Sequence, residues 1–300
     1  MISKRGFTLV ELVAVLFILS LLTFMAVQSV DQVKDQARYE ATQRQLTDIS
    51  EAIGAEATQS SALPRPVSFI TDLGRLPKQR TGGADICLRE LWLQQSGAEY
   101  SLPAFSLLQG PNDGTANDSD VKIGAGWRGP YLRMPAGQSA LRDGWANPYE
   151  ISFLNGGQQI GLRSLGSNNL PEPAAGDEYR ADLPEAAQIF ESTAKVSGFV
   201  FERQSSGAPV ALAGAVVYVL YPKLDATDAN IAIERIPATP VTTGPNGEFE
   251  IDNVPLGRRV IRAWYSAPLP GPLPAGHSQP ATLTIDVPKG GRSNIELVIR

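Results

Sequence analysis

The chain is poor in the residues from which catalytic and metal centres are built. Its 300 residues contain one cysteine, Cys87, and one histidine, His277. A lone cysteine excludes an intrachain disulfide, and Cys87 reads as a small buried apolar residue. One histidine excludes a histidine-rich metal centre and leaves a Ser-His-Asp triad without support. His277 lies in the Pro/Gly-rich stretch 267–280 and reads as an ordinary loop residue. Positive charge is also short: 26 Lys and Arg against 31 Asp and Glu give a net charge of −5. Phosphate binding needs a basic face, so nucleic acid is not expected as a partner. No activated nucleophile or paired acid and base stands out, so no enzyme activity is expected. What is present is 43% apolar residues, enough for a packed core, in a length that suits about two domains.

The longest apolar stretch runs from Phe7 to Val27, broken only by Glu11 and a few small polar residues. As a helix it is long enough to cross a hydrocarbon core of roughly 30 Å. Lys4 and Arg5 precede it and favour a cytoplasmic N-terminus. A cleaved secretory signal would end in a small-x-small site. Here the run ends Met25-Ala26-Val27-Gln28 and continues into a helical pattern. A carboxylate inside such a run costs up to about 3 kcal/mol and usually has a partner. Glu11 by itself leaves open whether it snorkels to the surface, stays protonated or is paired.

Lys4-Arg5-Gly6-Phe7-Thr8-Leu9-Val10-Glu11 resembles the class III leader of type IV prepilins. The resemblance implies cleavage between Gly6 and Phe7 by a prepilin peptidase, and N-methylation of the new terminus at Phe7. It also implies that the Glu11 carboxylate pairs with the Phe7 amine of a neighbouring subunit. Two opposite buried charges are costly alone and tolerable together.

Beyond the run the pattern becomes amphipathic. Val30, Val33, Ala37, Ala41, Leu46, Ile49 and Ile53 recur at mostly three- and four-residue spacing. Asp35 with Arg38 and Glu40 with Arg44 are spaced to pair on the helix surface. No Pro or Gly interrupts Phe7–Ile53, so one helix of about 50 residues and roughly 75 Å is expected, its C-terminal half packed on a globular head. Gly54 weakens it and Pro64 ends it. Pilins often kink at a proline where this chain has Gln28.

The head is expected over residues 60–183. Cys87–Gln95 reads as a short amphipathic helix with Leu88, Leu91 and Trp92 on one face, and Gln109–Asp120 as a flexible loop. Gly124-Ala125-Gly126-Trp127-Arg128-Gly129 fits G-x-G-x-x-G by letter, but Pro130 and Pro135 oppose the helix that a dinucleotide site needs. Gly129-Pro130-Tyr131-Leu132 and Asp143-Gly144-Trp145-Ala146-Asn147-Pro148-Tyr149 resemble paired elements of the major pseudopilin of type II secretion systems. Gly144 and Ala146 depart from the pattern. Tyr149–Phe153 and Gln159–Ser164 read as strands of a hairpin turning at Asn155-Gly156-Gly157. In that pseudopilin a comparable later loop binds calcium, which takes oxygen ligands. The resemblance makes Leu165, through its backbone, Asn168, Asp177 and Asp182 the candidate calcium ligands; a solvated acidic turn is the alternative.

Residues 171–191 are rich in Pro, Ala and acid and read as a linker, with 184–194 dividing the head from a module over 195–300. There, alternating β-branched runs predict strands at Val196–Glu202, Ala215–Tyr221, Ile231–Ile236, Gly247–Ile251, Arg259–Tyr265, Ala281–Val287 and Ser293–Ile299, a β-sandwich. Val196-Ser197-Gly198-Phe199-Val200, Gly244-Pro245-Asn246-Gly247-Glu248-Phe249 and Val254-Pro255-Leu256-Gly257 resemble the carboxypeptidase regulatory-like domain, a prealbumin-like sandwich without catalytic activity.

The fold expected is therefore α+β. It comprises a leader over 1–6, a membrane and filament helix over 7–59, a small antiparallel-sheet head and an all-β sandwich. The resemblances imply a structural subunit of a type II secretion pseudopilus or type IV pilus-like filament. It would sit in the inner membrane as a single-pass protein, with its C-terminal part in the periplasm or on an extracellular filament. Partners implied are other pilin or pseudopilin subunits, the prepilin peptidase and the inner-membrane assembly platform. The alternative is a minor tip pilin whose sandwich binds cargo, glycan or a surface.

Overall fold

The computed structural model describes residues 9–54, 68–80, 84–97, 99–112, 118–135, 137–166, 189–203, 208–265 and 280–299. The side chains of 26–32, 84–85 and 189–191 lie outside that description. A single helix, α1 (Leu9–Gly54), leads the chain. Its pairs Asp35–Arg38 and Glu40–Arg44 form at 3.3 and 3.5 Å. Both are solvent-exposed and each contributes about 0.5 kcal/mol or less.

The buried stripe of α1 is shorter than the sequence pattern. Thr42, Leu46, Ile49, Ala52 and Ile53 are buried, while Val33, Ala37 and Ala41 are exposed. Apolar spacing marks the face that can be buried; only the last three turns have a head beside them. Burying Leu46, Ile49 and Ile53 stabilises this junction by about 1.5–3 kcal/mol per side chain.

The head supplies α2 (Phe69–Leu73), α3 (Ala84–Cys87) and a 3₁₀ turn (Leu88–Leu91). The helix expected over Cys87–Gln95 is thus displaced towards the N-terminus and ends at Leu91. Leu88 and Leu91 are fully buried, as the amphipathic pattern required. Ser68 caps α2 through its hydroxyl and Gly74 closes it in the left-handed conformation. The head's strands are β1 (Gln95–Ser96), β2 (Tyr100–Ser101), β3 (Ser106–Gln109), β4 (Lys122–Ala125), β5 (Glu150–Leu154), β6 (Gln159–Arg163) and β7 (Ile189–Glu191). They make the hairpins β1–β2 and β3–β4 and the three-stranded sheet β5-β6-β7. No helix follows Gly124–Gly129, where the peptide before Pro130 is cis. Ile189–Glu191, inside the stretch expected as linker, is a strand paired to β6.

The C-terminal strands are β8 (Thr193–Glu202), β9 (Val210–Ala211), β10 (Ala215–Leu224), β11 (Ile231–Thr242), β12 (Glu248–Pro255), β13 (Gly257–Tyr265), β14 (Ala281–Val287) and β15 (Arg292–Ile299). They form two sheets, ordered β11-β10-β13-β14 and β12-β8-β15, with β9 on β8. All pairs are antiparallel except β15 with β8. Val196, Val200, Phe249, Ile251 and Leu297 of one sheet bury against Val217, Val219, Ile261 and Ile285 of the other, as in a sandwich.

The larger sheet is covered on its other face too. Leu108, Val121 and Ile123 from the β3–β4 hairpin pack on Tyr218, Leu220, Ile233 and Val260. Cover on both faces explains why β10 reads Ala-Val-Val-Tyr-Val-Leu rather than alternating apolar and polar. The fold is therefore an N-terminal helix, a small antiparallel head and a β-sandwich, of class α+β.

Candidate functional site

Glu11 lies near the N-terminal end of the described part of α1, inside the apolar run. From Leu9 to Met25 every residue is exposed, Leu9 at 80% and Phe17 at 66%. A band of this size on an unaccompanied helix needs lipid or other helices around it. Among the described residues no helix is long and apolar enough to cross a membrane. The described side chains of the run stop at Met25, and Phe7 lies before the first described residue. Lys4, Arg5, Gly6 and Phe7 likewise lie outside the described residues.

Where α1 meets the head, residues 143–149 form a clamp. The Asp143 carboxylate accepts from the backbone N–H of Trp145 and Asn147 at 2.9 and 2.7 Å and from Ser164 Oγ at 2.6 Å. Asn147 Nδ2 donates to the Gly166 carbonyl at 2.6 Å. Gly144 N donates to Thr42 Oγ1 at 2.9 Å, and the Tyr149 hydroxyl donates to Gln45 Oε1 at 2.8 Å. Burial pushes the Tyr149 phenol above its ordinary range, so it stays a donor. A Cβ on Gly144 would stand 2.1 Å from the Arg38 carbonyl oxygen. The departure from the pseudopilin pattern at 144 thus sits at a backbone-to-backbone contact that leaves no room for a side chain.

The other pseudopilin-like element pins α2. Tyr131 packs edge-on against Phe69 and Trp127, and its hydroxyl donates to Asp72 at 3.1 Å. Arg128 pairs with Asp72 at 2.7 Å. Burial pushes the Asp72 carboxyl up, and Arg128 opposes that shift.

The clamp holds the start of the loop that carries the candidate calcium ligands, for which a solvated acidic turn is the alternative. Leu165 is half-buried between Ser164 and Gly166, both engaged by the clamp. Asn168, Asp177 and Asp182 lie outside the described residues. Among the described residues no group of His, Cys, Asp or Glu could hold a metal ion.

Sequence reasoning missed a set of buried charges joining head and sandwich. Asp118, fully buried, accepts from Tyr218 Oη and Arg262 Nη1 at 2.7 Å each and from Arg235 Nε at 2.8 Å. Asp120 takes the remaining fork of Arg262 at 2.8 and 3.0 Å. Both aspartates end the segment expected as a flexible loop. Glu90, also fully buried, binds Arg75 and Arg80, and Asp228 from the β10–β11 turn binds Arg75, Lys78 and Arg80. Arg259 donates to the carbonyls of Ile70, Thr71 and Pro255 at 3.0–3.1 Å. Complete burial pulls its pKa down to about 9. Acids in a Gly/Asn-rich segment carry no periodic signal, so local pattern could not find these pairs. Cys87 is buried beside Arg80, as expected of a structural thiol. His277 lies outside the described residues.

Comparison with known proteins gives a short match. Residues 1–27 fit the model of the prokaryotic N-terminal methylation motif. A search of curated proteins finds no match. Among solved structures, a putative carbohydrate-binding protein from Pseudomonas aeruginosa aligns at 18% identity. That alignment covers 36% of this chain and 88% of that one, with a TM-score of 0.21. The pilus 2b backbone protein of group B streptococcus aligns at 12% identity, over 69% of this chain and 73% of its own, with a TM-score of 0.24. A double mutant of shaft pilin SpaA from Lactobacillus rhamnosus GG aligns at 13%, over 62% and 75%, with a TM-score of 0.22. The methylation motif thus covers residues 1–6, expected as the leader, and the apolar run in which Glu11 lies.

Proposed function

We propose that this chain is a subunit of a type II secretion pseudopilus or a type IV pilus-like filament, anchored in the inner membrane before assembly. The carrying observation is a methylation motif over residues 1–27 joined to a helix whose apolar residues Leu9–Met25 are exposed among the described residues. In this reading a prepilin peptidase cuts between Gly6 and Phe7, and the new Phe7 amine is methylated. The Glu11 carboxylate of one subunit neutralises the Phe7 amine of the next, so two charges enter an apolar bundle as a pair. The remainder of the apolar run exchanges lipid for neighbouring helices. In this reading residues 60–183 are the filament's head, and 195–300 a carboxypeptidase regulatory-like sandwich packed against it. Calcium held by Leu165, Asn168, Asp177 and Asp182 belongs to the same reading.

The test is Glu11→Ala in cells that assemble the filament. Incorporation should fall to background while the variant still fractionates with the inner membrane. Normal incorporation would contradict the mechanism.

A second reading, a minor tip subunit that binds cargo, glycan or a surface, is favoured by the outer face of the β12-β8-β15 sheet. Phe199 is 38% exposed there, with its ring 6.3 Å from that of Phe201, and Glu248 and Glu296 lie opposite it on the flanking strands. Unlike the outer face of the larger sheet, it has no hairpin over it among the described residues.

A further inference from the structure

The two sheets of the sandwich end in edges that are treated differently. On one side β11 carries Pro237 and Pro240, and its pairing with β10 is broken by a register shift. Beside it, β12 carries Glu248, Glu250 and Asp252, with another register shift. Prolines, charges and bulges are the means by which sheet edges are kept from pairing with other chains. On the opposite side β15 likewise carries Arg292 and Glu296 and a register shift, but β14 beside it has no proline and a single charge, Asp286. There β14 reads Ala-Thr-Leu-Thr-Ile-Asp-Val, and its seven pairs with β13 run without a shift.

The polarity of this edge follows from one contact. Arg292 Nη1 donates to the Asp286 carbonyl from the side of β15, away from β13. In an antiparallel strand alternate residues aim both backbone groups to the same side. Thr282 and Thr284 therefore share the open side with Asp286, and among the described residues no strand pairs with them. The apolar side chains beside this edge are also uncovered. Leu283 is 40% exposed and Val298 of β15 is 37% exposed, and both line the cleft between the two edges.

The geometry points to the β14 edge as a self-pairing interface, in which β14 of a second copy adds antiparallel across a two-fold axis at Leu283. The strand is self-complementary in that register. Thr282 faces Thr284 of the partner strand as a hydrogen-bonded pair, and Ala281 faces Ile285. Leu283 meets its own copy at a position where backbones come closest, about 4.5 Å between Cα atoms. The strand's one charge, Asp286, falls outside the paired segment, so no like charges oppose and its carbonyl keeps Arg292. Cross-strand Thr–Thr and apolar pairs are the favourable kind. The two four-stranded sheets become one of eight strands, and the exposed Leu283 is covered. A two-fold contact buries the same patch on both copies, the commonest form of protein pairing.

This pairing goes beyond filament assembly through α1 and does not depend on it. The test uses the full chain in detergent with single cysteines introduced at the edge. Cα atoms facing each other at about 4.5 Å lie within disulfide range, so Leu283→Cys should give a disulfide-linked dimer under mild oxidation. Thr284→Cys faces Thr282 rather than itself and should give none. The native Cys87 is buried and should stay silent. Adding Thr284→Pro to Leu283→Cys removes an outward N–H that β13 does not use, and should abolish the cross-link. A monomeric Leu283→Cys protein would overturn the proposal. So would equal cross-linking at 283 and 284, which is the signature of contact through α1. The same result in a Glu11→Ala background separates failure of this interface from failure of filament assembly.

Discussion

At the scale of single residues, the chain uses charge in two opposed ways. Glu11 sits in an apolar run and, on the proposed reading, pairs with the amine of another subunit in the filament. Asp118, Glu90, Asp228 and Arg259 are buried within one subunit and find their partners there. The β10–β11 turn shows how locally such partners can be supplied. The Asp225 carboxylate accepts from Thr227 N and Oγ1, Ala229 N and Asn230 Nδ2 at 2.7–3.1 Å. Those hydrogen bonds hold its pKa down at about 2. A carboxyl lowered in the folded state adds stability that is complete above the unfolded value near 3.9 and is lost as pH falls towards about 2. Asp225→Asn should therefore weaken the fold at neutral pH and remove part of the loss between pH 4 and 2. Urea unfolding of both proteins at pH 7 and in that acid range measures this. An unchanged acid limb would show that the turn contributes nothing to it.

At the scale of elements, the clamp at 143–149 decides how α1 meets the head. Gly144→Ala drives a methyl group into the Arg38 carbonyl, and overpacking of this kind costs about 1–3 kcal/mol. The expected outcome is a lower unfolding midpoint, with loss of protection at the amides of residues 42–53 in hydrogen exchange. An unaffected midpoint would mean that the backbones separate freely. The sequence made much of this level legible. Seven of the eight C-terminal strands lie where the β-branched runs placed them, because each has a face in the sandwich core, although β11 runs on past Ile236 to Thr242. Val210–Ala211 was missed, since two residues show no period. Ile189–Glu191 was hidden by its Pro/Ala-rich neighbours and exists because β6 offers it an edge. The α1 stripe was over-read: Val33, Ala37 and Ala41 keep the helical period without a head to pack on. The clamp residues were visible through family resemblance, whereas their hydrogen-bond partners Thr42, Gln45 and Ser164 were not, because such partners come from distant parts of the chain.

At the scale of the whole molecule, head and sandwich share one apolar core that includes Ile49, Phe69, Leu88, Val217 and Ile261. The Asp118 ion pairs cross the same boundary. Asp118→Asn removes the buried counter-charge of Arg235 and one of the two carboxylates of Arg262, which keeps Asp120; breaking the Arg235 pair costs about 3–5 kcal/mol. Because the core is continuous, calorimetry should show the single main transition of the variant moved down as a whole. Two transitions, only one of them shifted, would mean that the head and the sandwich unfold separately. On the proposed reading, a continuous core would carry load from the helix through the head to the sandwich. That account stands on where the mature chain begins. Mass spectrometry of the protein recovered from the inner membrane reads this directly. The account predicts an N-terminal peptide starting at a methylated Phe7. A mature chain that retains residues 1–6, or one that starts beyond Glu11, would contradict it.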